Sequence, residues 1–441
     1  MKRTLILYTF VAALGGLVFG FDTAVINGAL PFFTKHFDLS HAMQGWAVSS
    51  ALIGCIFGAL FIGRPGDSFG RRYMLKILAI LFIVSSIGTG MASSLTIFVI
   101  FRFIAGLAIG GASVLSPMYI SEIAPPGQRG RLTATFQLAI VIGILVAFFS
   151  DYLLVNTGPE NWRWMFIAGL LPGLALFILL FFVSESPRWL VKMGRMEAAL
   201  DVIASVNIEA DAGQTLREIQ DSIDNEVIGK NIYLFKKPYL KLVLIGIAVG
   251  MFNQFTGINI IMYYATDIFR SAGFSTNSAI GQTVIIGLTN LLFTLIAMSI
   301  IDRVGRKTLL LVGSVGMTIF LGLFAFLFKS GNTGGFWILG LLIGFIAFFA
   351  ASQGAVIWVL LSEMFPNNIR ARGSSIGSFS HWFFNALLSF LFPVVTGAFG
   401  VGNAFVFYAL ATFVSFFFFL FFLRETKGRS LEELEKHMLG N

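Results

Sequence analysis

The chain has 441 residues, of which 57% are hydrophobic and only 12% charged, with mean hydropathy +0.86. A water-soluble chain of this length needs far more polar side chains to cover its surface, so the composition reads as an integral membrane protein. The net charge of +8 does not point to nucleic acid, because Lys and Arg fall in alternate connections between apolar segments and form no basic stripe with interleaved aromatics.

Apolar stretches of about 20 residues recur along the chain, each long enough to cross a hydrocarbon core of about 30 Å as a helix. Twelve spans are expected, near residues 5–33, 43–64, 73–92, 95–120, 132–154, 163–184, 240–268, 276–301, 308–328, 335–362, 373–398 and 401–423. The first begins behind Lys2 and Arg3 and is too long for a cleavable signal, so it reads as a retained span. Twelve spans place both termini on one side. Twenty-five of the thirty Lys and Arg fall there, against four (Lys35, Arg163, Arg270 and Lys329) opposite, so both ends are expected in the cytoplasm.

Within span 1, "FGFDTAVING" (19–28) carries Asp22, and within span 4, "FRFIAG" (101–106) carries Arg102. A charge at membrane depth costs several kcal/mol, so these two are expected to pair. Residues 185–239 form the one sizeable polar segment. In it "TLREIQDSIDNEV" spaces Leu216, Ile219, Ile223 and Val227 at helical intervals, which expects short amphipathic helices. The expected organisation is a six-helix bundle over 1–184, a cytoplasmic helical linker over 185–239, a second six-helix bundle over 240–423 and a cytoplasmic tail over 424–441.

The halves echo each other. "GRPGDSFGRR" (63–72) recurs as "IDRVGRK" (301–307), an offset of 235 from Gly70 to Gly305; "SEIAPPGQRGR" (121–131) recurs as "SEMFPNNIRARG" (362–373), an offset of 241 from Glu122 to Glu363. Such duplication marks a two-bundle transporter with its substrate site near the midplane.

Cys55 is the only cysteine and lies in an apolar segment, and His36, His41, His381 and His437 show no ligand spacing, so no disulfide, metal or cofactor is expected. No nucleophile–base set or phosphate loop stands out, and an enzyme is not expected. The Gly-rich "GLAIGG" lies mid-span, where glycine serves helix packing.

Together "GRPGDSFGRR", "RFIAGLAIGGASVLSPMYISEIAPPGQRGRL", "NWRWMF", "SESPRWL", "QFTGINIIMYY", "DRVGRK" and "ETKGRSLEEL" resemble the sugar porters of the major facilitator superfamily, from about Gly15 to Glu433. Each motif is weak alone; their order and spacing are specific. The resemblance implies an all-α fold of two six-helix bundles and a rocking cycle that imports a monosaccharide, a hexose before a pentose or inositol. It also implies a monomer in a bilayer, and the compact layout a bacterial inner membrane.

The resemblance places sugar contacts at Asn253, Gln254 and Asn259 in span 7, Gln137 in span 5, Asn290 in span 8, Trp358 in span 10, and His381, Trp382 and Asn385 in span 11. Amides donate and accept, which suits paired hydroxyls, and an indole offers an apolar platform for a ring face. Asn253 stands where the family has a second glutamine, and His381 departs from the commoner Gln, Asn or Ser. His381 is also a second candidate proton site. A further set of charges is expected at the cytoplasmic helix ends as a gate: Asp67, Arg71, Arg72, Glu122, Arg131, Glu185 and Arg188, with counterparts Asp302, Arg306, Glu363 and Arg372.

Proton-coupled members of the family carry "DTAV" or similar in span 1, where facilitative members tend to have Asn. Desolvation favours the neutral acid at Asp22 and the Arg102 guanidinium favours the carboxylate, so a rocking motion that parts them switches proton affinity. One charge crossing 100 mV supplies about 2.3 kcal/mol, roughly fifty-fold in accumulation. Proton–sugar symport is therefore the expected function. An uncoupled sugar uniporter, a sugar sensor and an exporter of another small molecule on the same fold are the alternatives.

Overall fold

The structure, a computed structural model, describes residues 3–125, 128–206, 212–226, 234–235, 239–331, 336–365 and 369–427; the side chains of 224–226, 302, 362–363 and 370–371 are outside the described set. Among the described residues there is no strand, and twelve helices are long and apolar enough to cross a membrane. In order, spans 1–6 are Arg3–His36, His41–Phe61, Arg71–Gly90, Leu95–Ile123, Arg129–Leu154 and Asn161–Leu179; spans 7–12 are Leu240–Ser271, Thr276–Ile301, Arg306–Lys329, Trp337–Leu361, Arg372–Phe399 and Val401–Phe422. Large apolar side chains on their outer faces are bare, with Leu171 71% and Phe421 72% exposed, as lipid-facing positions must be.

Three spans are broken. Span 7 divides into Leu240–Phe255 and Ile258–Ser271 at Gly257, whose φ of +79° is a conformation glycine adopts without steric cost. Span 10 contains a π-helical turn, Ala350–Gly354, between Trp337–Phe349 and Ala355–Glu363. Span 6 is interrupted between Ala168 and Leu170.

The chain packs as two compact units. One comprises Met1–Asp22, Gly54–Ile144 and Phe166–Ile232. In it span 4 crosses span 2 at Gly110, where a Cβ would lie 2.7 Å from the Cys55 Cα, so only glycine admits that approach. The linker folds into Pro187–Lys192, Met196–Val206 and Ala212–Glu226. Leu216, Ile219 and Ile223 are half-buried while Arg217, Glu218 and Asp221 are exposed, as the spacing expects; Val227 lies outside the described residues.

The other unit comprises Thr23–Ile53, Leu145–Met165 and Tyr233–Asn441. It joins the second part of span 1, the first part of span 2 and the span 5–6 connection to spans 7–12. Asn27 Oδ1 accepts from the Thr266 N–H at 2.8 Å, and Gln44 Nε2 donates to Asp267 Oδ2 at 2.9 Å. These bonds tie spans 1 and 2 to span 7.

Candidate functional site

Asp22 and Arg102 meet inside the first unit. Arg102 Nη1 donates to Asp22 Oδ1 at 2.6 Å, with the residues 3% and 6% exposed respectively. The guanidinium carbon lies 5.4 Å from the Phe166 ring centre, and Nε has no hydrogen-bond partner among the described residues. One short charge-assisted bond thus holds the pair, and part of the guanidinium is unsatisfied. An arrangement of this kind can exchange partners without dismantling a full bidentate clamp.

In the second unit, the break in span 7 gathers polar side chains. Gln254 Nε2 donates to Asn253 Oδ1 at 2.9 Å and faces His381 Nδ1 at 2.9 Å, while Gln254 Oε1 accepts from Asn259 Nδ2 at 2.7 Å. Trp358 and Trp382 flank the imidazole at centroid distances of 4.8 and 5.6 Å. Asn385 Nδ2 donates to the Tyr263 hydroxyl at 3.0 Å. The same Gln254 nitrogen lies 3.2 Å from His381 Nε2, so the imidazole sits against the amide without either ring nitrogen being singled out as its acceptor.

The π-turn brings in a residue the sequence reading passed over. Gln353, 0% exposed, accepts through Oε1 from Asn253 Nδ2 at 3.4 Å and leaves its own Nε2 without a partner. An extra residue in a helical turn re-aims the side chains around it, and such turns gather at functional sites. Its only signal in the sequence was an amide within an apolar span, five residues before Trp358.

Two of the expected sugar contacts stand outside this network. Asn290, 6% exposed in span 8, makes no side-chain hydrogen bond to a described residue. Gln137 is half-buried in the first unit.

The charged helix ends of the first unit form one network. Arg71 pairs with Glu122 through Nη2–Oε1 at 2.9 Å and Nε–Oε2 at 3.0 Å, and with Asp67 through Nη1 at 3.0 Å. Ser186 Oγ makes a short hydrogen bond to Glu122, and Lys192 Nζ lies 3.2 Å from Asp67. Glu185 meets no guanidinium among the described residues, contrary to expectation. Its carboxylate accepts from the backbone N–H groups of Arg71 at 2.9 Å and Arg72 at 3.0 Å, capping span 3. Arg72 Nε donates instead to the Leu180 carbonyl at 2.9 Å. Arg188 reaches Ser222 Oγ at 3.3 Å, and Arg131 is exposed without an ion pair to a described residue.

In the second unit, Glu425 accepts from the N–H groups of Arg306 at 2.8 Å and Lys307 at 3.0 Å, capping span 9. The sequence reading quoted its motif but did not single it out. Arg372 is exposed; the side chains of Asp302 and Glu363 lie outside the described residues.

Residues 8–438 match a family profile described as "Sugar (and other) transporter". The chain is 38% identical over 437 residues to the arabinose-proton symporter of Bacillus subtilis, covering 98% of this chain and 94% of that protein. It is 36% identical to the D-xylose-proton symporter of Escherichia coli, covering 97% and 94%. It superposes on the partially occluded, inward-open structure of the Escherichia coli xylose transporter XylE with a TM-score of 0.87 at 34% identity, covering 97% of this chain and all of that one. A second structure, of the same major facilitator superfamily proton:xylose symporter bound to 6-bromo-6-deoxy-D-glucose, gives 0.84 at 36% identity, covering 99% of each.

Proposed function

Because the chain belongs to the sugar transporter family of the major facilitator superfamily, a family of multi-pass membrane transporters, we propose that it imports a monosaccharide by proton symport. The observation that carries the coupling is the Asp22–Arg102 pair, buried at 6% and 3% exposure and joined by a single bond. While that bond holds, the carboxylate stays ionised; parting it leaves a desolvated acid that takes up a proton.

The sugar meets the second unit at Gln254, Asn259, Asn253 and Gln353, with Trp358 as its apolar platform. In this structure the amides satisfy one another, so a bound sugar exchanges those bonds for its own hydroxyls, and Gln353 Nε2 gains the partner it lacks. His381 positions Gln254 and separates the two tryptophans. Gln137 and Asn290 are assigned as contacts on the family resemblance alone. A hexose remains the preferred substrate, beside relatives named for arabinose, xylose and glucose.

The functional division follows the halves 1–184 and 240–423, joined by 185–239 and followed by the tail 424–441. The protein works as a monomer, both termini are cytoplasmic, and the membrane is a bacterial inner membrane. Asp67, Arg71, Arg72, Glu122, Arg131, Glu185 and Arg188, with Asp302, Arg306, Glu363 and Arg372, hold the cytoplasmic helix ends together and release as that side opens.

The test is accumulation in proteoliposomes under an imposed proton gradient. Asp22→Asn abolishes accumulation and retains exchange of labelled sugar across equal concentrations. A variant that still concentrates sugar sinks the coupling, and a wild type that does not acidify its lumen on sugar entry leaves only uncoupled transport.

A further inference from the structure

A second carboxyl is buried in the other unit and has no role in the scheme above. Asp151, near the end of span 5, is 0% exposed, and among the described residues no side chain hydrogen-bonds either of its oxygens; the one donor near it is the Gly28 backbone N–H. What faces it from span 1 is the backbone of Gly28, where a Cβ would lie 2.5 Å from the Asp151 Cγ. Glycine is therefore what lets span 1 close over the carboxyl. One residue earlier, Asn27 makes its bond to Thr266 across to span 7, leaving both its own Nδ2 and the Thr266 hydroxyl unpartnered.

No base answers Asp151 as Arg102 answers Asp22. Among the described residues it forms no ion pair; Lys35 and Asp38 at the end of span 1 are exposed, and the other charged groups of this unit near the same helix ends are engaged elsewhere. His36 lies 3.4 Å from Arg163 Nη2 and packs on Trp162; Arg163 Nε donates to Glu160 at 2.9 Å. Asp267 is held by Gln44 at 2.9 Å and Arg270 at 3.1 Å. A carboxylate stripped of water and counter-ions, with one backbone N–H beside it, is far more costly than the neutral acid.

We propose that Asp151 is a second proton-carrying carboxyl, which holds a proton while spans 1 and 5 are closed over it and releases it to the outer solution when the Asn27–Thr266 joint parts. Closing takes one proton from the outer solution and converts carboxylate to buried acid; opening returns that proton to the same side. Asp151 thus adds nothing to the proton-to-sugar ratio. It makes closure of the outer joint depend on external pH. This rests on the transport reading and its orientation, whereas the protonation state does not.

Asp151→Asn keeps the shape and removes the titration. Infrared absorption of the purified protein at neutral pH is expected to show the carbonyl stretch of a protonated carboxyl, lost in Asp151→Asn and kept in Asp22→Asn. In proteoliposomes of the Asp22→Asn protein, which lacks the coupling proton, sugar exchange slows as external pH rises, and that dependence is lost when Asp151→Asn is added. Should the variant fail to fold, aspartate labelled with heavy carbon in the Asp22→Asn protein shifts the band if an aspartic acid carries it. A band that survives Asp151→Asn, a band unmoved by the label, or an external-pH dependence unchanged by the substitution overturns the proposal. Failure of sugar transport with the band intact sinks the transport reading alone.

Discussion

Glu425 stands 240 residues after Glu185 and does at Gly305 what Glu185 does at Gly70. Each glycine has a φ of +99°, and each glutamate accepts the first two backbone N–H groups of the helix that follows. A positive φ there turns the chain so that the freed N–H groups converge on one carboxylate, a fixed negative charge at a helix N-terminus. The duplication seen in the sequence is therefore also a duplication of hydrogen bonding, with one cap in each unit.

Replacing either glutamate with glutamine keeps the oxygen and removes the charge, and is expected to cost about 1 kcal/mol, the usual value of an N-terminal cap. At Glu425 burial pushes the carboxyl up, but the N–H groups of Lys427, Arg306, Lys307 and Thr426 outweigh it and hold it below the ordinary range. A depressed native value means that the contribution is complete above the unfolded value of about 4.3 and is lost as pH falls through the lower native one. The difference in melting temperature between wild type and Glu425→Gln should be flat near neutrality and close only in acid. A difference that grows toward low pH contradicts this cap.

Much of this architecture was legible beforehand because its causes are local. Twenty apolar residues in a row, a bounding charge and a glycine-rich crossing fix a span wherever they occur, and the twelve expected spans match the observed ones to within a few residues at most ends. The Asp22–Arg102 pair was legible for the same reason, since two lone charges at membrane depth have few other partners. The partner of Glu185 and the entry of Gln353 were not foreseen because both depend on backbone geometry. Whether a carboxylate meets a guanidinium or two amide hydrogens turns on the φ of Gly70, and whether Gln353 enters the amide network turns on one π-turn. Asp151 was passed over because the missing counter-charge of a buried acid appears only when its neighbours are in place.

Arg102→Leu leaves Asp22 buried without its counter-charge and, measured above the pH at which the orphaned acid takes up a proton, is expected to destabilise the protein by about 3–5 kcal/mol. Adding Asp22→Asn removes the orphaned charge and should recover most of that loss. Thermal melting in detergent of the two single variants and the double variant closes the cycle. Strictly additive effects would show that the 2.6 Å contact carries no coupling energy.

Gln353→Leu should leave the empty protein close to wild-type stability, because the amide nitrogen it removes is unpartnered and the one bond it loses is long, at 3.4 Å. Sugar binding should weaken about ten-fold, the worth of one buried hydrogen bond of about 1.4 kcal/mol. Competition against a labelled sugar measures this directly. Unchanged affinity would remove Gln353 from the site, and a large loss of melting temperature would mark it as a packing residue of the π-turn.

Gln44→Leu breaks the 2.9 Å bond to Asp267 and leaves that carboxylate with the exposed Arg270 as its remaining partner, so the closed joint between spans 2 and 7 is weakened. Loss of a hydrogen bond to a charged acceptor costs about 1.5–3 kcal/mol, enough to move a two-state equilibrium by ten-fold or more. Cys55, the only cysteine, is buried, so thiol labelling of an introduced cysteine reports with little background. A cysteine placed at Thr266, beside the Asn27 joint, should be modified faster by an impermeant reagent from outside in the Gln44→Leu protein than in its parent. Asp267→Asn keeps an acceptor for Gln44 and should change the rate less. Equal labelling in all three proteins would mean that the Gln44–Asp267 bond does not hold this side shut.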